Sequence, residues 1–140
     1  MYLLDTNIWL ERLLDQKKSK IVGEFLNTTT TDCIYITDFA YHSICVIMAR
    51  LESLEALDKF VKDLFINGDV TIINLKPSAI QNILEIIDDE NFDFDDAYQY
   101  VAAEEYELQI ISFDSDFDNT PKGRKTPGEI LSEYNNQEED

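Results

Sequence analysis

The sequence predicts an α/β protein whose parallel sheet is covered by helices on both faces. Three observations carry this. Short apolar runs recur along the chain, as YLL at Tyr2–Leu4, CIYI at 33–36, VTII at 70–73 and QIISF at 109–113. Between them lie longer stretches whose apolar residues return at helical spacing. The first two runs also end in residues able to cap a helix, Asp5 and Thr37–Asp38, so strand passes into helix with little linker. Neither internal repeats nor interdomain linkers interrupt the pattern, and 140 residues suit one domain. With 44% hydrophobic residues the chain can build a core despite its charge.

In chain order, Tyr2–Leu4 form the first strand, and Thr6 with Asn7 open a helix through Leu14. Ile21, Val22, Phe25 and Leu26 mark a second helix, which the threonines Thr28–Thr31 interrupt before the strand Cys33–Ile36. Either Thr37 or Asp38 can accept the free N–H groups of the next helix, Phe39–Leu51, which is apolar around most of its circumference and so central. Leu54, Leu57, Phe60, Val61, Leu64 and Phe65 give a surface helix one buried stripe, and Asn67-Gly68 stops it. Val70–Ile73 form the third strand. Pro77 suits a first helical turn, followed by the stripe Ile80, Ile83, Leu84 and Ile87. After an acidic loop, a helix runs from about Asp95 to Glu105, then the fourth strand, Gln109–Phe113. A small strand near Lys125 and a helix over Pro127–Tyr134 complete a single domain of residues 1–134, with 135–140 as a frayed acidic tail.

The 29 acidic residues against 11 Lys and Arg set a formal charge of −18, which argues against indiscriminate nucleic-acid binding, since phosphate neutralisation needs clustered cations. Cys33 and Cys45 lack CxxC spacing and lie in apolar surroundings, so they are expected to be buried reduced thiols. No apolar run approaches the ~18 residues of a membrane span, and MYLLDTN lacks a basic leader-type start. A cytoplasmic protein without membrane contact is expected.

In parallel sheets the carboxyl ends of the strands and the first turns of the following helices share one edge, where sites form near a switch in strand order. Asp5 ends the first strand and Asp114 follows the fourth, while Asp38, His42, Asp95 and Asp96 fall in or near first turns. Two unit charges about 4 Å apart repel by roughly 4 kcal/mol at an effective dielectric of about 20. Carboxylates gathered at that edge must protonate, separate or hold a cation. Asp114 and its neighbours then make sense as groups to be neutralised by a divalent ion, which in turn can hold a phosphate, while Asp93, Asp95 and Asp118 are expected to be solvated or capping. Two other uses of DSDFDN fail: an EF-hand beginning at Asp114 would need Gly and Glu where Asn119 and Lys125 stand, and a phosphatase-type DxD nucleophile belongs on an early strand.

LLDTN at Leu3–Asn7, DDA at Asp95–Ala97 and ISFDSDF at Ile111–Phe117 together resemble the PIN domain family, and within it toxin ribonucleases of the VapC kind. The resemblance spans nearly the whole chain. It implies a three-layer α/β/α sandwich with a four- or five-stranded parallel sheet. It further implies a Mg²⁺- or Mn²⁺-dependent endoribonuclease acting on RNA as a toxin under an antitoxin protein, with homodimerisation common among similar proteins. Carried over by position, Asp5, Asp96 and Asp114 would be metal ligands and catalytic groups, Asp116 an accessory, and Asn7 and Ser112 small polar groups that orient them. The family usually places a Glu early in the helix after the second strand. His42 is expected at that place, a change that would lower site charge and alter metal preference. Asp38 is a substitute carboxylate whose ordinary role is capping.

Of the two basic clusters, Lys17, Lys18 and Lys20 are expected to be solvated surface. Lys122, Arg124 and Lys125 follow the strand-four carboxylates and are expected to contact substrate phosphate. The alternative to an active nuclease is a catalytically weakened PIN-fold binding module working through a protein partner.

Overall fold

Alternation of side chains along each strand settles how the sheet is buried. The computed structural model describes the backbone of residues 1–139 and the side chains of 1–137. Its strands are β1 (Tyr2–Leu4), β2 (Ile34–Thr37), β3 (Thr71–Ile73) and β4 (Gln109–Ile111). All neighbouring pairs are parallel, in the order β3-β2-β1-β4, with Leu3 opposite both Tyr35 and Ile110. In β1, Leu4 points into a core with Trp9, Phe25, Ile36 and Ile44, whereas Leu3 points into a second core with Ile83, Tyr100 and Phe117. Ile111 and Ile110 repeat this division in β4. Each face of the sheet is therefore sealed by helices, giving the predicted α/β/α sandwich.

Helices α1 (Thr6–Leu13), α2 (Ser19–Thr28), α3 (Asp38–Arg50), α4 (Leu54–Val61) and α7 (Pro127–Glu139) share the first core, and α5 (Ile80–Glu90) and α6 (Phe94–Glu105) the second. Thr37 caps α3, its side chain accepting the Ala40 N–H at 3.0 Å. α4 continues into a π-helical turn over Lys62–Ile66. Gly68 is required after it, because a Cβ there would lie 2.7 Å from the Asp63 carbonyl oxygen and 2.8 Å from that of Leu64. The predicted small strand is a single parallel bridge, Lys125 beside Ile111. α7 runs past Tyr134 to Glu139, since no Gly or Pro stops it; of the tail expected at 135–140, residue 140 lies outside the described residues. Cys33 and Cys45 are free, but both are partly exposed rather than buried.

The chain moves from β1 outward to β2 and β3, then returns to place β4 on the other side of β1. The switch in strand order thus falls between β1 and β4, and a crevice opens at their carboxyl ends. No described helix is long and apolar enough to cross a membrane.

Candidate functional site

Asp5 continues the ladder just beyond β1, its N–H donating to the Ile111 carbonyl at 2.9 Å. Its extended backbone lets the carboxylate cap α1, with Oδ1 accepting the Thr6 N–H at 2.8 Å. On the adjoining strand end, fully buried Ser112 donates to Asp5 Oδ2 at 2.7 Å. The Ser112 hydroxyl also accepts from the Asp114 N–H at 2.9 Å and from Asn7 Nδ2 at 3.3 Å. Asn7 in turn accepts the Phe113 N–H at 3.3 Å. Ser112 and Asn7 therefore tie the ends of β1 and β4 together and hold both aspartates in place.

The third element is α6. Asp93 caps it by accepting the Asp96 N–H at 3.0 Å, which sets Asp95 and Asp96 in the first turn where the helix dipole favours negative charge. One turn further, on the same face, Gln99 donates Nε2 to Asp5 Oδ1 at 3.1 Å. Asp114 accepts the Asp116 N–H at 2.9 Å and so caps the short 3-10 turn Ser115–Asn119. The result is a cleft of about 360 Å³ whose walls include Asp5, Asn7, Asp96, Gln99 and Asp114. Asp96, Asp114 and Asp116 each offer an oxygen, all within 4.8 Å of one another.

Burial and proximity have an electrostatic cost that the cleft offsets at Asp5 but not at Asp96. Burial pushes the Asp96 carboxyl up to about 7, helped by the charges of Asp93, Asp5 and Asp114 and by the hydrogen bond its protonated form donates to Asp93. Burial also raises Asp5, and Asp114 adds to the effect, but the Ser112, Thr6 and Gln99 donors pull the other way. Asp95 is raised by burial and by Asp93. The carbonyl oxygen of Gln99, a residue only 5% exposed on the cleft wall, has no hydrogen-bond partner among the described residues. Clustered oxygens, a carboxylate resisting ionisation and an orphaned acceptor form a donor set suited to a hard divalent cation. Asp96, Asp114 and Asp116 would hold it, with Asp5 behind them, its oxygens occupied by protein donors.

Several sequence expectations are corrected by the packing. His42 does not line this cleft but a neighbouring groove with Asp38, Val46 and Arg50. Ser43 takes the place facing the aspartates, because it shares a helical face with Phe39 and Ile47, four residues to either side, while His42 is rotated about 100° away. α3 therefore brings a hydroxyl and no carboxylate to this cleft. Asp38 accepts from the Tyr98 hydroxyl at 2.8 Å and also lies outside the cleft. Two of the three expected phosphate contacts are paired within the protein. Arg124 grips Asp118 through Nε and Nη2 at 3.0 and 3.1 Å and donates to the Ser112 carbonyl at 3.1 Å. Lys125 pairs with Glu133, and Lys122 lies in a separate groove beside Tyr100. Gln99 was not anticipated, though its position three residues after Asp96 carried the signal.

Residues 2–123 match the model of the PIN domain. No curated protein matches the chain in sequence. Among solved structures, a toxin-antitoxin complex from Klebsiella pneumoniae superposes with a TM-score of 0.73 at 19% identity, covering 91% of this chain and 98% of that one. VapC20 of Mycobacterium tuberculosis, described as a sarcin-ricin loop cleaving toxin, gives 0.72 at 12% identity over 87% and 96% of the two chains. FitAcB from Neisseria gonorrhoeae gives 0.70 at 19% identity over 91% and 99%. At such identities the likeness is one of fold, whereas the model match extends through all three aspartate motifs, and the chain belongs to the PIN domain family.

Proposed function

We propose that this protein is a metal-dependent endoribonuclease that hydrolyses RNA phosphodiester bonds and serves as the toxin of a toxin–antitoxin pair. The observation that supports it most is the trio Asp96, Asp114 and Asp116, with oxygens within 4.8 Å at the switch-point crevice of a PIN fold. When bound, Mg²⁺ or Mn²⁺ supplies charge neutralisation at the scissile phosphate and eases water deprotonation. The chain's part is to orient the ligands. Ser112 holds Asp5 and the Asp114 backbone, Asn7 holds Ser112 and Phe113, and the Asp93 cap presents Asp96. The solved toxin-antitoxin complex of like fold supports a protein antitoxin as the partner.

Titration with Mn²⁺ by calorimetry and cleavage of a panel of structured RNAs test this reading. Binding and cleavage are expected in the wild type and lost in folded Asp96→Asn and Asp114→Asn proteins. A wild type that neither binds the ion nor cuts RNA overturns it.

A second reading, a weakened PIN-fold binding module, is favoured by Ser43, since α3 brings no carboxylate to the cleft. Ser43→Glu separates the two. A large gain in cleavage marks a decayed site, and a loss marks one adapted to the hydroxyl.

A further inference from the structure

A groove of about 620 Å³ adjoins the acidic cleft, and Asn7 belongs to the walls of both. Its other walls include Lys17, Lys18 and Phe113, so its cations come from the basic cluster that the sequence alone consigned to solvent. Among the described residues neither lysine makes an ion pair. The Lys18 ammonium stands 4.4 Å from the centroid of the Phe113 ring. Glu11 and Asp15 also line the groove, so its formal charges balance in a protein that is otherwise strongly acidic, and the Glu11 carboxylate accepts the backbone Lys18 N–H at 2.7 Å. The loop is pinned further where Gln16 N–H donates to the Glu11 carbonyl at 3.0 Å and Arg12 Nη1 to the Ser19 carbonyl and hydroxyl at 3.3 and 3.2 Å. The lysines are thus displayed from a braced loop. Phe113, its N–H held by Asn7, immediately precedes Asp114 in the chain.

We propose that Lys17, Lys18 and Phe113 form a nucleotide subsite next to the carboxylates, the lysines taking backbone phosphates of a single RNA strand and the Phe113 ring a base. This rests on the nuclease reading of the acidic cleft and adds where the strand lies relative to it. The charge argument is local. A chain of net charge −18 repels a polyanion, and entry is favoured where unpaired cations border the acidic site. The Lys18 ammonium lies over the Phe113 face, so an incoming base displaces it and frees it for phosphate; stacking and phosphate contact together are what single strands exploit.

The test is fluorescence anisotropy of a short single-stranded RNA in Ca²⁺, a readout that needs no turnover. The double variant Lys17→Gln/Lys18→Gln should bind about tenfold more weakly. The salt dependence of log K should flatten by about 1.4, the value for two single-strand phosphates. Phe113→Ala should weaken the same RNA about tenfold but leave an abasic oligonucleotide unaffected. Lys122→Gln/Lys125→Gln should match wild type, and Mn²⁺ affinity should persist in the Lys17/Lys18 variant. RNA affinity and salt slope unchanged in the Lys17/Lys18 variant overturn the subsite, as does a loss seen only with Arg50→Gln in the groove lined by His42. If binding depends on Lys17 and Lys18 while Mn²⁺ yields no cleavage, the subsite holds and the nuclease assignment fails.

Discussion

Asp5 and Asp96 face the same cleft and both have carboxyl pKa values raised chiefly by burial, but they are handled in opposite ways. Asp5, 9% exposed, is surrounded by three donors, from Ser112, Thr6 and Gln99, which offset part of the cost of its charge. Asp96 is half-buried and meets Asp93, Asp5 and Asp114, so its surroundings oppose ionisation. The difference separates scaffold from workplace. One carboxylate anchors the strand ends; the other is left short of positive charge.

The comparison can be broken in four ways. The largest effect is expected from Asp96→Asn or Asp114→Asn, which should cost Mn²⁺ affinity and RNA cleavage about 100-fold or more, since even outer groups around an ion cost 10- to 100-fold. Calorimetry and gel assays read it, and unfolding temperature should not fall. Next, Ser112→Ala removes a buried hydrogen bond to a carboxylate and should destabilise the protein by about 2–3 kcal/mol in urea titrations at pH 8. Asp96→Asn at the same pH should instead stabilise the metal-free protein. Equal signs for these two variants would erase the distinction.

The third effect is in pH. A carboxyl raised in the folded state gives stability that is complete below its unfolded pKa and is lost as pH rises through the folded value. For Asp96 the window runs from the ordinary 3.8 to about 7. Metal-free protein should therefore lose thermal stability between pH 4 and 7, with Asp5 adding in the same direction, and Asp96→Asn should flatten the profile. Mn²⁺ should restore stability above pH 7. The smallest effect is Gln99→Leu, about 1 kcal/mol, because losing the Asp5 donor is partly offset by losing the orphaned oxygen. An NMR titration should show the Asp5 carboxyl raised further.

Much of this molecule could be read from local pattern. Tyr2–Leu4 followed by a capping Asp5, and an acidic first turn before Ala97, are signals complete within a few residues, and they placed Asp5, Asp96 and Asp114 on one sheet edge. Boundaries moved modestly: β4 ends at Ile111, not Phe113, because Ser112 leaves the β1 ladder, donates its N–H to the Lys125 carbonyl and turns its hydroxyl to Asp5. The misplaced residues share another cause. His42 and Ser43 are adjacent in sequence but about 100° apart on α3, and apolar residues around most of that helix left its orientation undetermined. Arg124 and Lys125 look available until Asp118 and Glu133 are seen beside them, and Lys17 and Lys18 look idle until the α1–α2 loop meets the end of β4.

By itself the sequence determined the order of strands and helices, the parallel sheet they require and the edge at which the carboxylates gather, because periodicity and capping act over a few residues. Only the tertiary structure decided which carboxylate oxygens lie within 4.8 Å of one another, which carboxylate is satisfied by donors and which lysines make no ion pair among the described residues. Those outcomes depend on ångström-scale distances between segments as far apart as Asp5 and Ser112, which no local pattern encodes.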